Sequence, residues 1–251
     1  MKIKVINPNT SLEMTESIGA AARSVARPGT EIVAVSPTFG PASIESYYDE
    51  FMCAPGTIDE VRKGEAEGCD AYIIACYGDP GLQGAREVTR KPVIGIAEAS
   101  IYTASILAAR FSIVTVIPRI KTMLEEMVAN YGFSHKVANI RTTPLYVLDI
   151  EKDPPAALET LRQESRTAME EDDAEAILLG CAGFAEFANE LEAELGIPVL
   201  DGVVCAVKMA EAIVELGKTT SKYKTYRDPE TKAFTGIFER FGSAGRAKAA
   251  E

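Results

Sequence analysis

A chain of 251 residues, 47% apolar and 25% charged, has the composition of a soluble globular protein able to bury a sizeable core. Its formal net charge of −11 excludes the clustered basic surface that a nucleic-acid backbone requires and gives nothing to hold an anionic membrane. Five cysteines and one histidine, His135, exclude a disulfide-dense secreted framework and most histidine-based catalytic designs.

No apolar stretch approaches the ~20 residues of a membrane span, and Met1 leads directly into a strand pattern. A cytoplasmic location with reduced thiols is therefore expected. In chain order, short β-branched or apolar runs at 2–6, 31–35, 71–75, 93–96, 112–116, 176–179 and 198–200 read as buried parallel strands. Helical patterns at 12–26, 57–67, 97–109, 121–131, 156–171, 187–195 and 203–216 separate them. This alternation predicts βαβ units and doubly wound α/β sheets, whose ligands bind at the carboxyl ends of the strands. Thr10-Ser11-Leu12-Glu13 fits a capping box, which makes Asn7-Pro8-Asn9 either a cleft-facing loop or a plain strand-to-helix turn. The stretch 36–56 is rich in turn formers and aromatic residues and is expected to be a long loop, either a pocket wall or lid or an oligomer contact. Residues 241–251 read as a flexible end.

The surroundings of two cysteines repeat. Cys76 and Cys181 each follow an apolar, strand-like run and open a glycine-containing turn. The interval between them nearly equals that between Lys91-Pro92-Val93-Ile94 and Ile197-Pro198-Val199-Leu200. A looser third pair sets Val5-Ile6-Asn7-Pro8 against Thr115-Val116-Ile117-Pro118. The period is far longer than the ~20–50 residues of solenoid repeats and predicts two related α/β halves, each presenting one thiol. A first lobe is expected over 1–97, completed by about 200–240, and a second over 98–199.

His135 lies in a polar connection and reads as a surface residue; there is no Cys-x-x-Cys, no histidine pair, and neither a Rossmann nor a P-loop fingerprint. Neither a metal nor an organic cofactor is expected. What remains is acid–base work by the thiols, a thiolate on one face of an acidic C–H and a thiol on the other, inverting that carbon. The glycines at 78 and 183 let backbone N–H groups approach sulfur or substrate, and amides after each cysteine can serve an enolate oxygen. Asp79 is expected to point away or to cap the next helix, because an inward carboxylate would oppose a thiolate.

Ile6-Asn-Pro-Asn-Thr-Ser11, Gly40-Pro-Ala-Ser-Ile-Glu45, Ile74-Ala-Cys76-Tyr-Gly-Asp-Pro-Gly81, Gly95-Ile-Ala-Glu-Ala99, Leu179-Gly-Cys181-Ala-Gly183 and Pro198-Val-Leu-Asp-Gly202 together resemble the aspartate/glutamate/hydantoin racemase superfamily, and within it the hydantoin and allantoin racemase branch. The resemblance implies two pseudo-symmetric doubly wound lobes with the active site in the cleft between them. It also implies Cys76 and Cys181 as the catalytic acid/base pair and a homo-oligomer. Members acting on free carboxylates tend to carry Asn or Thr after the cysteines; Tyr77-Gly78 and Ala182-Gly183 here suit a neutral ring such as a hydantoin. Phe39, Tyr47 and Tyr77 are the candidates for the 5-substituent, Asn9 and Thr115 for the ring carbonyls and N–H groups, or else as turn caps. An amino-acid racemase, a maleate cis-trans isomerase and a non-catalytic small-molecule binding protein remain the alternatives.

Overall fold

The computed structural model describes residues 1–242. Four strands, β1 (Lys2–Ile6), β2 (Glu31–Val35), β3 (Ala71–Ile74) and β4 (Val93–Gly95), form one all-parallel sheet in the order β2-β1-β3-β4. Four more, β5 (Phe111–Thr115), β6 (Val137–Thr142), β7 (Ile177–Leu179) and β8 (Val199–Asp201), repeat that order as β6-β5-β7-β8. The repeat read from the cysteine and proline intervals is thus a repeat of topology. Both faces of a parallel sheet are covered by its crossovers, so β3, β5 and β7 are buried along their whole length and read as unbroken apolar runs.

The helices are α1 (Leu12–Val25), α2 (Tyr47–Ala66), α3 (Leu82–Val88), α4 (Ile96–Leu107), α5 (Lys121–Tyr131), α6 (Pro154–Glu171), α7 (Ala188–Leu195) and α8 (Gly202–Glu215). α4 leaves the last strand of the first sheet and α8 the last strand of the second, and the two pack against each other where the halves meet. α8 also packs on α1 and against β3 and β4, so the end of the chain returns to the first half. No helix among the described residues is long and apolar enough to cross a membrane.

Three elements depart from the sequence pattern. α2 begins at Tyr47, so the second half of the expected loop 36–56 is helical. Ser46 caps it, accepting from the Asp49 amide at 3.2 Å, while Asp49 accepts from the Ser46 hydroxyl and the Glu45 amide. Pro55 and Gly56, at the end of that expected loop, lie inside the helix. A Cβ on Gly56 would stand 2.8 Å from the Pro37 side chain, so the glycine serves a close approach. β6 is a half-buried edge strand and α3 a two-turn helix, and neither leaves a clear apolar period. The flexible end expected over 241–251 lies outside the described residues from 243 onward.

The seam between the halves is tight at one residue. A Cβ on Gly202 would stand 2.6 Å from the Ile96 carbonyl oxygen and 2.9 Å from its Cβ, joining the first residue of α8 to the first of α4. Gly202→Ala is expected to lower stability by roughly 1–3 kcal/mol through overpacking, read as a lower urea midpoint at unchanged m-value.

Candidate active site

Cys76 and Cys181 are each the second residue past the end of a strand, β3 and β7, at equivalent positions in the two sheets. Both line one cavity of about 480 Å³, its mouth included. The loops after β1, β3, β5 and β7 bound it through Asn7 and Asn9, Tyr77 and Gly78, Val116 and Ile120, and Gly180 and Ala182. Ile44, Met14, Met123, Leu124 and Val147 close it with apolar surface, and no Lys or Arg among the described residues is on its walls.

The two sulfurs have matching environments. The Gly78 amide donates to Cys76 and the Gly183 amide to Cys181, in each case from two residues further on. Burial raises the Cys76 thiol well above the ordinary thiol range, and the Cys53 thiol, Cys181 and Glu50 add to this against the Gly78 amide. Burial likewise pushes Cys181 up to about 12, with Glu45, Asp201 and Glu151 adding to it and the Gly183 amide opposing. Burial thus disfavours the thiolate at both positions, and a thiolate formed here is a stronger base than one in water.

Around them the predicted residues divide. Asn9 lines the cavity; its Oδ1 accepts from the Ser11 amide at 2.9 Å and from Asn7 Nδ2 at 2.8 Å, and its Nδ2 meets only the Met14 sulfur, a weak acceptor, at 3.2 Å. Its amide N–H is the polar donor with most to gain from a ligand. Tyr77 turns its ring into the core, its hydroxyl 2.9 Å from Ser100 Oγ, and presents main chain to the cavity beside Gly78; Ala182 does so beside Cys181.

Phe39, Tyr47 and Thr115 do not line the cavity. Phe39 lies under the Arg240 guanidinium at 4.4 Å, and the Tyr47 hydroxyl donates to Glu126 at 2.7 Å across a neighbouring groove. Thr115 is fully buried and donates from Oγ1 to the Gly180 carbonyl at 2.7 Å. It holds the strand end that carries Cys181, and a Cβ on Gly180 would stand 2.6 Å from its own Cβ. Among the residues sequence reasoning missed, Asn7 was visible in the Asn-Pro-Asn loop. Ile44, Met123 and Val147 carry no local signal, being ordinary apolar residues brought in by tertiary packing.

Asp79 caps α4, the next helix read from the sequence, across the intervening α3: it accepts from the Ala97 and Glu98 amides at 3.2 and 2.9 Å and from the Tyr131 hydroxyl at 2.6 Å. Its carboxylate fills the place of a side chain at Gly95, where a Cβ would stand 2.1 Å away. Glu98, at the same helix start, pairs with Arg86 at 2.6 Å. His135 is exposed and stacks on Phe133. No group of three His, Cys, Asp or Glu among the described residues is arranged to hold a metal ion.

Comparison with known proteins agrees with this architecture. The family model described as Asp/Glu/Hydantoin racemase matches residues 3–210. The chain is 67% identical to a hydantoin racemase of Pseudomonas sp. (strain NS671), over 96% of this chain and 97% of that one. Its fold superposes on an allantoin racemase from Klebsiella pneumoniae with TM-score 0.95 at 47% identity, covering 97% of this chain and 99% of the other. An allantoin racemase from Pseudomonas fluorescens gives 0.91 at 39% identity, covering 94% and 100%.

Asp201 caps α8 through Oδ1, 2.8 Å from the Val204 amide, while its buried Oδ2 has no partner among the described residues. Burial pushes its pKa up to about 6, and that of Asp79 to about 7. Both folded-state values lie above the unfolded ~3.9, so the folded chain holds protons that the unfolded chain releases. The resulting stabilisation is complete below about pH 4 and is lost as pH rises through about 6 to 7. Asp201→Asn is expected to flatten the fall of melting temperature between pH 4 and 8; an unchanged profile would count against a buried, protonatable Asp201.

Proposed function

Since the chain belongs to the Asp/Glu/hydantoin racemase family, we propose that it inverts C5 of 5-substituted hydantoins, allantoin among them, using Cys76 and Cys181 as a two-base pair. The observation that carries this reading is the placement of two thiols at equivalent strand ends on one cavity, each receiving a glycine amide.

The C5–H of a hydantoin is acidified by the adjacent carbonyl. One sulfur, as thiolate, removes that proton from one face; the electron pair passes into the ring as an enolate, and the thiol on the opposite face protonates the carbon. For the other enantiomer the two sulfurs exchange roles. The burial that makes the thiolate rare also raises its basicity toward the carbon acid, narrowing the gap the proton must cross. The Gly78 and Gly183 amides are engaged with sulfur, so the Asn9 amide and the main chain of Tyr77 and Ala182 are the groups to receive the ring oxygens. Walls without a Lys or Arg favour a neutral ring over the free carboxylates of an amino acid or maleate. Both sulfurs must stay reduced, which supports a reducing, cytoplasmic setting. The exposed Ile106 and Leu107 at the end of α4 are consistent with a homo-oligomer.

Cys76→Ala and Cys181→Ala are each expected to lower racemisation by about 10²–10⁴-fold. In deuterated water each variant should still exchange the C5 hydrogen of one enantiomer, a different one in each case, without inverting it. Racemisation that persists in either variant would overturn the two-base reading. The apolar walls at Ile44, Val116 and Met123 offer no partners for a ureido group. Isopropyl- or methylthioethyl-hydantoin is therefore expected to exceed allantoin in kcat/KM by roughly tenfold or more, as measured by polarimetry on single enantiomers.

A further inference from the structure

Glu50, in the first turn of α2, reaches the cysteine loop and has no part in the chemistry above. Its Oε1 lies 2.2 Å from where a Cβ on Gly78 would stand, so the carboxylate rests on the residue whose amide holds the Cys76 sulfur. Gly78 is glycine because this oxygen fills its side-chain space. The same carboxylate lines a second, open groove outside the cavity, and the groove and the cavity share Gly78 and Met123 as a common wall. Glu50 thus stands between the buried sulfur and solvent.

A two-base racemase has need of such a group. Each turnover leaves the donor sulfur as thiolate and the acceptor as thiol, and before the same enantiomer can react again the donor must regain a proton and the acceptor must release the one it took from carbon. Among the described residues, the polar side chains on the cavity walls besides the cysteines are the amides of Asn7 and Asn9, which are neither acids nor bases at neutral pH, and Tyr77, whose hydroxyl is engaged with Ser100.

We propose that Glu50 is the proton relay between the outer groove and Cys76, an inference that rests on the two-base reading. Once Cys76 has given its proton to carbon, the O–H bond of a protonated Glu50 breaks with its electron pair staying on oxygen. An S–H bond forms on Cys76, directly or through one water, Glu50 recovers a proton from water in the groove, and Cys181 releases to water the proton it took from C5, which restores the thiolate–thiol pair. Glu50 acts through Cys76 and does not touch the reacting carbon.

The electrostatics suit the role. Burial pushes Glu50 up to about 7, so both its forms are populated at neutral pH. The ionisable groups around it are Tyr47 and Cys53 on α2, Cys76 and Asp79 on the loop after β3, and Glu126 and Tyr131 on α5. None is cationic, and no Lys or Arg lines the groove among the described residues.

The test compares wild type, Glu50→Gln and Glu50→Asp on one enantiopure hydantoin at limiting and saturating concentration across pH 5–9. Resetting the free enzyme limits the rate at saturation, so Glu50→Gln should lower kcat by about tenfold and kcat/KM by less than about threefold. It should also abolish the inflection of kcat near pH 7, while Glu50→Asp retains a shifted inflection and most of the rate. Equal falls in kcat and kcat/KM, or an inflection that survives in Glu50→Gln, would overturn the relay. If Glu50→Gln does not fold, an unshifted inflection in Glu50→Asp overturns it equally. The relay fails alone if the two cysteine variants still lose racemisation; the two-base reading fails if either keeps it.

Discussion

Two thiols on one small cavity, Cys181 buried and Cys76 half-buried, set the terms for the rest of the molecule. Desolvation makes each a reluctant acid, so its thiolate is scarce but strongly basic, and the structure compensates with one main-chain amide aimed at each sulfur. Main chain serves better here than a cationic side chain. A lysine or arginine would lower the thiol pKa further, but would weaken the base and offer a partner to unwanted carboxylates. The glycines at 78 and 183 place those amides, and the matching strand order of the two sheets brings them to one space.

Symmetry holds for the sulfurs and breaks immediately behind them. In the first half the helix after the fourth strand is capped from a distance, Asp79 reaching from the cysteine loop into the gap left by Gly95. In the second half the equivalent helix is capped by the last residue of its own strand, Asp201. The negative groups acting on the sulfurs differ too: Glu50 among those acting on Cys76, and Glu45 with Asp201 on Cys181. In the two-base mechanism proposed here, the sulfurs that exchange roles therefore sit in unequal fields.

Much of this was legible in the sequence because it rests on local pattern. Buried parallel strands read as apolar runs, and the cysteines stood out by repeating at the interval of the Pro-Val motifs that open the fourth strands. What escaped was set by partners distant in sequence. Pro55 and Gly56 read as loop only until Pro37 is packed against them, and β6 hides because an edge strand needs no apolar face. Phe39 and Tyr47 drew attention as aromatic residues in an apparent loop, yet the cavity walls are aliphatic and come from α5 and the segment around Val147. Thr115 was placed at the correct strand end, but its hydroxyl turns to Gly180, since a buried hydroxyl takes the nearest carbonyl.

The same contrast between seam and rim bears on how a substrate reaches the sulfurs. At the seam, Gly202 lies against Ile96 with no room for a methyl group, and close-packed contacts of this kind resist relative motion. Around the mouth the halves are joined by single hydrogen bonds: Glu45 accepts from the Val147 amide at 2.7 Å, Tyr47 donates to Glu126 at 2.7 Å, and Tyr131 donates to Asp79 at 2.6 Å. The Tyr47–Glu126 bond is exposed and the other two are half-buried, so none is sealed from water. Bonds of that strength part at far lower cost than the packed seam, so the halves can open at the rim while α4 and α8 stay together. Glu45 and Ile44 are adjacent, so parting the Glu45–Val147 bond loosens a residue of the cavity wall at the same time. On the proposed reading, admission of the ring and exposure of the sulfurs to water are then one event, and closure restores the low dielectric that the proposed thiol chemistry requires.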